Sequence, residues 1–392
     1  MSPTTTITHV EAIPIRIPRD EPYLGKLEDG VTVTKTGYFV RPGNRSVYPI
    51  HDQSLLVKIT TKGSVVGWGE CVAFVAPQAN AAIVDEVLGP LLVGRSVIDP
   101  AVIYHDLYDL MRVRGFFGGY YHDCLAAIDI ALWDAFGKAV GQPVCKLLGG
   151  CRHATMPAYV SGLPTPTLAE RVELAKLWQS RGFSAFKFAS AVSHEGTADE
   201  MAALRQALGP DADILCDMHW KHTAPDAIKL IDAMDAHNLC VAEAPCRPED
   251  LAGQAQVAAA VHCPVGIGEE LRTLHEYVPR FERRAIGVIQ PEMGRTGITS
   301  FMEICTMAKG FGCTVMPHAS IGIGLFQAAS LHASAPLPHL VYHEYQHSVF
   351  DKNLAYVTGD MACANGSFTV PTGPGLGVEP RAEAVDQLRI GD

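Results

Sequence analysis

After Gly150 the chain repeats itself: short apolar runs recur about every 25 residues, each followed by a polar loop and then an Ala-rich helical stretch. The runs are 156–160 (MPAYV), 184–188 (SAFKF), 213–216 (DILC), 239–242 (LCVA), 264–268 (PVGIG), 287–290 (GVIQ), 313–316 (CTVM) and 340–343 (LVYH). Eight successive βα units are what a closed parallel barrel needs, and such barrels place their chemistry at the C-terminal ends of the strands. A chain of 392 residues leaves room for a further domain at the usual size of about 150 residues each.

That domain precedes the repeats. Residues 7–18 and 54–70 are dense in β-branched side chains, and Lys62-Gly63 makes the second stretch a hairpin. Residues 123–150 carry Leu125, Ile128, Leu132 and Ala135 at helical spacing. Between the strands, residues 19–50 are too many for an ordinary connector, so they read as a lid or as a solvated surface loop. As a lid, this segment offers Tyr23, Lys26, Arg41, Arg45 and Tyr48 to a small polar ligand. The expected organisation is an α+β capping domain over 1–150, a barrel over 151–365 and a Gly/Pro-rich tail over 366–392 returning to the cap.

Acidic residues outnumber basic ones by 42 to 31, so the net charge of −11 gives neither a phosphate backbone nor an anionic membrane a reason to bind. No apolar stretch is long enough to span a bilayer. Eleven cysteines without a C-x-x-C pair, and an N-terminus without signal-peptide character, point to a reducing cytoplasm.

Reading the ends of the strands gives Asp217, Glu243 and Glu269 at an equal spacing of 26 residues. Each alone reads as a helix cap. Three converging on one mouth would repel one another unless a cation sat among them, and hard oxygen donors select Mg2+.

With these features in order, the chain resembles the enolase superfamily, and within it the mandelate racemase subgroup, which includes many acid-sugar dehydratases. The resemblance rests on GWGE at 67–70, IDIALWDAFGK at 128–138 with its trailing LLGG, the three carboxylates, QPE at 290–292 and MPH at 316–318. It implies an N-terminal α+β cap on a modified (β/α)8 TIM barrel with one antiparallel early strand, and Asp217, Glu243 and Glu269 as Mg2+ ligands. It also implies a catalytic dyad of His318 as base and Glu292 as its carboxylate partner, where the family usually has Asp. Lys187 matches the first Lys of the family's K-x-K, but the second is Ala189. His219 matches a position that is often Asn and is His in the mannonate dehydratase-like branch, where it serves as acid; otherwise it is a supporting hydrogen-bond partner. Glu344 matches an acid that hydrogen-bonds the substrate carboxylate, which requires it to be protonated and its pKa raised.

The expected function is Mg2+-dependent dehydration of a sugar acid to a 2-keto-3-deoxy acid. Racemisation needs a base on each face of the α-carbon, and Ala189 cannot carry a proton. The alternative within the superfamily is a lactone cycloisomerase. Outside that chemistry stand a non-catalytic sugar-acid-binding protein and a zinc peptidase, the latter because 343–347 reads His-Glu-Tyr-Gln-His; that motif requires a helix, and its surroundings are β-like. The expected partners are a small sugar acid and further copies of the chain.

Overall fold

A computed structural model describes residues 3–23, 25–320 and 322–391; Leu24 of the long loop and Asp392 of the tail lie outside the described residues. The chain opens with strand β1 (Ile7–Ile17), and the long loop carries a small antiparallel hairpin of β2 (Tyr38–Val40) and β3 (Val47–Pro49). Then β4 (Asp52–Thr61) pairs antiparallel with β1 on one side and with β5 (Val66–Val72) on the other. The expected hairpin is present, with Thr60 opposite Val66. The helix Gly119–Val140 covers this sheet, ending at Gly141, whose φ of +67° suits glycine.

Two glycines of GWGE explain that packing. A Cβ on Gly67 would lie 2.1 Å from the Ala131 carbonyl oxygen, and one on Gly69 would lie 1.9 Å from that of Ala127. The strand and helix backbones meet where no side chain fits.

All eight expected runs form strands: β6 (Thr155–Ser161), β7 (Ala185–Ala189), β8 (Asp213–Asp217), β9 (Val241–Glu243), β10 (Val265–Ile267), β11 (Val288–Ile289), β12 (Thr314–Val315) and β13 (His343–Tyr345). Neighbours pair in parallel from β6 to β12, and β13 pairs in parallel with β6. The Val341 N–H donates to the Val315 carbonyl at 3.0 Å and closes the ring. Two expectations need correction. None of the eight strands is antiparallel; the antiparallel partner of β6 is the later segment Ser367–Thr369, which pairs outside the ring. The eighth strand is followed not by a full helix but by the four-residue Phe350–Asn353, so the repeats are seven βα units and a closing strand.

Buried carboxylates of the sequence motifs dock the two halves. Glu70 accepts from Ser54 Oγ at 2.9 Å and from the Ile323 and Leu325 backbone N–H groups at 2.7 and 3.0 Å, placing an anion at the N-terminus of the helix Leu325–Ser334. Asp129 accepts from the Thr299 N–H and hydroxyl, while Asp134 accepts from the N–H groups of Trp68 and Leu376. The tail also reaches the first strand, because the Ile390 N–H donates to the Pro14 carbonyl at 2.8 Å and Arg389 pairs with Glu11.

Cys145 and Cys151, six residues apart, form a disulfide, a pairing that the expected reducing surroundings do not call for. They flank the Leu-Leu-Gly-Gly turn between cap and barrel, which brings their Cα atoms to 5.6 Å. Among the described residues, no helix is long and apolar enough to cross a membrane.

Candidate active site

The parallel register sets the strand ends side by side. Ala189 pairs with Asp217, and Asp217 with Glu243, so a row of side chains from neighbouring strands meets at the C-terminal mouth. Over that mouth lies a cavity of about 310 Å3, large enough for a small organic acid. Its wall includes Lys187, Ala189, Asp217, His219, Glu269, His318 and Glu344 from the barrel, and Tyr23 and Tyr48 from the long loop.

That loop is built around Arg41, which is 1% exposed. Its guanidinium donates to the carbonyls of Tyr23 and Gly25 at 2.9 and 3.1 Å and to Glu28 at 3.1 Å. Arg41 therefore organises the loop from inside and is not part of the cavity wall. Lys26 and Arg45 are likewise not part of the cavity wall, and the Lys26 side chain is largely in solvent. The loop contributes Asn44 and Ser46 instead.

His318 stands between two carboxylates. Its Nδ1 is 2.7 Å from Glu292 and its Nε2 is 2.8 Å from Glu269. Glu292 is fully buried and also accepts from the N–H groups of Gly294 and Ser320, at 3.0 and 2.8 Å. The extra methylene relative to Asp thus still allows a direct dyad. Burial pushes the imidazole pKa down, but Glu269, Glu344 and Glu292 outweigh it and raise it well above the usual value.

Lys187 is buried between two carboxylates, 2.8 Å from Glu243 and 2.9 Å from Glu344. Burial lowers its pKa, yet Glu243 and Glu344 more than reverse that, so its ammonium stays charged. Glu344 corrects an expectation. Burial raises its pKa, but Lys187 and His318 outweigh burial and leave it lowered, so it stands as a carboxylate that also accepts from Ser161 and from the Ala319 N–H. His219 lies 3.1 Å from Asp217 through Nδ1, and its N–H donates to the same carboxylate at 2.9 Å.

The three expected metal ligands are neighbours, but their oxygens are turned to protein donors: Glu243 to Lys187 and Gln290, Glu269 to His318, Asp217 to His219. Among the described residues, no three acidic, His or Cys side chains gather around one point as they stand. Their chemistry nonetheless fits a hard divalent cation. Burial raises the pKa of Asp217, with Glu269 adding to it; burial pushes Glu243 up to about 8, with Asp217 and Glu269 adding their repulsion. Glu269 is held down at about 2, where His318 and Lys187 overcome burial. A cation among all-oxygen donors would relieve this repulsion.

The His-Glu-Tyr-Gln-His segment is the strand β13 and its following turn, not a helix. His343 bonds Ser330 at 2.8 Å, and His347 bonds the Gly162 carbonyl at 2.9 Å. Trp220, Glu270, Arg295, Ser161, Ser320 and Gln346 also line the cavity and were not singled out from the sequence. Trp220 and Glu270 directly follow His219 and Glu269, so reading each strand end one residue further finds them.

Comparison with known proteins bears on the family and the fold. Residues 29–149 match the mandelate racemase / muconate lactonizing enzyme N-terminal domain, and residues 169–385 match the enolase C-terminal domain-like family. A D-galactarolactone cycloisomerase from Agrobacterium fabrum is 31% identical over 354 residues, covering 86% of this chain and 92% of that protein. A D-galactonate dehydratase from Cronobacter sakazakii is 30% identical over 359 residues, covering 87% and 92%. A crystal structure of a Sinorhizobium meliloti protein is 53% identical with a TM-score of 0.97, covering 98% of this chain and 99% of that one. The chain belongs to the enolase superfamily, in its mandelate racemase subgroup.

Proposed function

We propose that this protein dehydrates a sugar acid, an aldonate or aldarate, to a 2-keto-3-deoxy acid. The observation that carries this reading is the one-sided supply of bases. His318 faces the cavity with Glu292 behind it, while the opposite strand end offers Ala189 and a Lys187 held charged by two carboxylates. Ala189 has no basic atom and Lys187 keeps Glu344 as its ion-pair partner, whereas His318 Nε2 would be freed once Glu269 turned from it to a cation, so inversion of the α-carbon lacks a second base. Elimination needs only one. His318 removes the α-proton, and the hydroxyl on the neighbouring carbon leaves as water with a proton from His219 or from His318 itself. The enol then tautomerises to the keto acid. Mg2+ held by Asp217, Glu243 and Glu269 would supply positive charge to the substrate carboxylate as negative charge develops on it.

Lys187, between Glu243 and Glu344, lowers the negative charge that an anionic substrate meets on entry. The polar lid residues Tyr23, Asn44, Ser46 and Tyr48 suit a hydroxylated substrate better than an aromatic one. The relationship to a galactarolactone cycloisomerase favours a second reading, in which the leaving group is a ring oxygen and no water is lost. Incubating the protein with Mg2+ and a set of hexonates, pentonates, hexarates and their lactones distinguishes the two by mass. Loss of water with a 2-keto-3-deoxy product supports dehydration. Inert acids beside a lactone converted to an isomer of equal mass would replace it with cycloisomerisation. In D2O, α-proton exchange that vanishes in His318→Asn identifies the base, and no binding protein shows such exchange.

A further inference from the structure

Beyond His219, one wall of the cavity has no role in the chemistry above. His219 and Trp220 both sit in the left-handed region, at φ of +53° and +50°. Such backbone is uncommon for bulky residues, so it persists where surrounding structure enforces it. Here the Trp220 N–H is tied to the Ala244 carbonyl at 2.7 Å. The turn sets Trp220 in the wall, its buried indole N–H near Glu270 but without a hydrogen bond of normal geometry. Both carboxylate oxygens of Glu270 and the Nε of Arg295 are also buried without hydrogen-bond partners among the described residues. Buried donors and acceptors left unpaired are destabilising. The Trp220 N–H and Glu270 lie near enough to answer each other, whereas the Arg295 Nε has no such neighbour, so what this wall lacks is an anion beside Arg295.

Arg295 determines what kind of ligand. It is the one guanidinium in the cavity wall among the described residues. Its nearest acid, Asp123, lies 4.0 Å away and is already engaged by Arg272 through two bonds of 2.8 and 3.1 Å. Two guanidiniums thus share one carboxylate, and Arg295 is left with an unmet demand for an anion. Its planar fork matches a carboxylate better than a lone hydroxyl.

We infer that this wall reads the far end of a hydroxylated dicarboxylic acid: Arg295 binds the second carboxylate, with Trp220 and Glu270 shaping the wall beside it. The inference rests on the cavity being a sugar-acid site and narrows the substrate to diacids. The test is calorimetric binding with Mg2+ in a His318→Asn background, comparing a hexarate with the hexonate of the same configuration. With Arg295 present the hexarate should bind at least tenfold tighter. Arg295→Met should remove that difference by weakening the hexarate tenfold or more while changing the hexonate less than twofold. Arg295→Lys, which keeps a charge beside Asp123, should lose severalfold for the hexarate alone and carries the test if the Met variant does not fold. Equal binding of the two acids, or equal loss of both in the variants, overturns the inference. If the unmutated protein converts hexonates but not hexarates, the diacid assignment falls and dehydration stands. If the hexarate binds through Arg295 yet yields no keto acid, the reaction falls and the assignment stands.

Discussion

Replacing Glu292 by Gln tests the dyad with little change in shape. The Glu292 carboxylate lies 2.7 Å from His318 Nδ1 and accepts two backbone N–H bonds as well, so every group facing it is a donor. A hydrogen bond to a charged group contributes about 1.5–3 kcal/mol, which at 1.36 kcal/mol per pKa unit lowers the imidazole pKa by about 1–2 units. The sign follows from the charge. Glu292 favours the protonated ring, so without it the ring gives up its proton at lower pH and becomes a weaker base. The acid limb of the kcat/KM profile should therefore move about 1–2 units to lower pH, and the plateau should drop roughly 10- to 100-fold. The amide must also point its NH2 at one of the surrounding donors, which should cost about 1–3 kcal/mol of stability in denaturant unfolding. An unmoved limb, or one displaced to higher pH, would refute the claim that this carboxylate sustains the basicity of His318.

Glu243→Gln should abolish turnover and Mg2+ binding while leaving the circular dichroism spectrum nearly unchanged; loss of folding would instead make this acid structural. His332 is buried neutral, its Nδ1 accepting from the Cys145 N–H at 3.3 Å and its Nε2 donating to the Leu376 carbonyl at 3.0 Å, and burial lowers its pKa to about 4. Its contribution to stability is complete above pH 6.5 and is lost as pH falls toward 4, about 3 kcal/mol in all, so His332→Gln should flatten the stability-against-pH slope in that window. Gly69→Ala would place its Cβ 1.9 Å from the Ala127 carbonyl oxygen, and the forced shift of strand or helix should cost about 1–3 kcal/mol in chemical unfolding; an unaltered midpoint would mean the two backbones separate freely.

The strands were legible because each barrel strand is short, apolar and separated from the next by one helix, a period that survives in the sequence. Strand ends then located Asp217, Glu243 and Glu269 without any knowledge of pairing, and the family resemblance added His318, Glu292 and Glu344. What the strand ends do not carry is which charge faces which. The protonation of Glu344 goes the other way because Lys187, six strands earlier in sequence, meets it across the ring, where β13 closes on β6 beside β7. Arg41 read as a ligand-binding cation, since a buried guanidinium and an exposed one look alike in sequence; its partners are carbonyls of the same loop. Arg295 was missed for the opposite reason, lying on the helix side of its strand end beside a cap residue, Asp123, that only the fold brings near. The pairing of Cys145 with Cys151 likewise depends on a turn whose geometry the spacing alone does not specify.

The contact between Arg389 and Glu11, 378 positions apart, has a bearing on how the chain is made. At a translation rate of about 5–20 residues per second, the first strand emerges from the ribosome on the order of tens of seconds before its last partner exists. During that interval β1 can pair with β4, but the side that later receives residues 389 and 390 is open. The cap is thus the first part of the molecule to begin folding and the last to be completed, and its unfinished edge is where a nascent chain would be exposed to chaperones or to a neighbouring nascent copy.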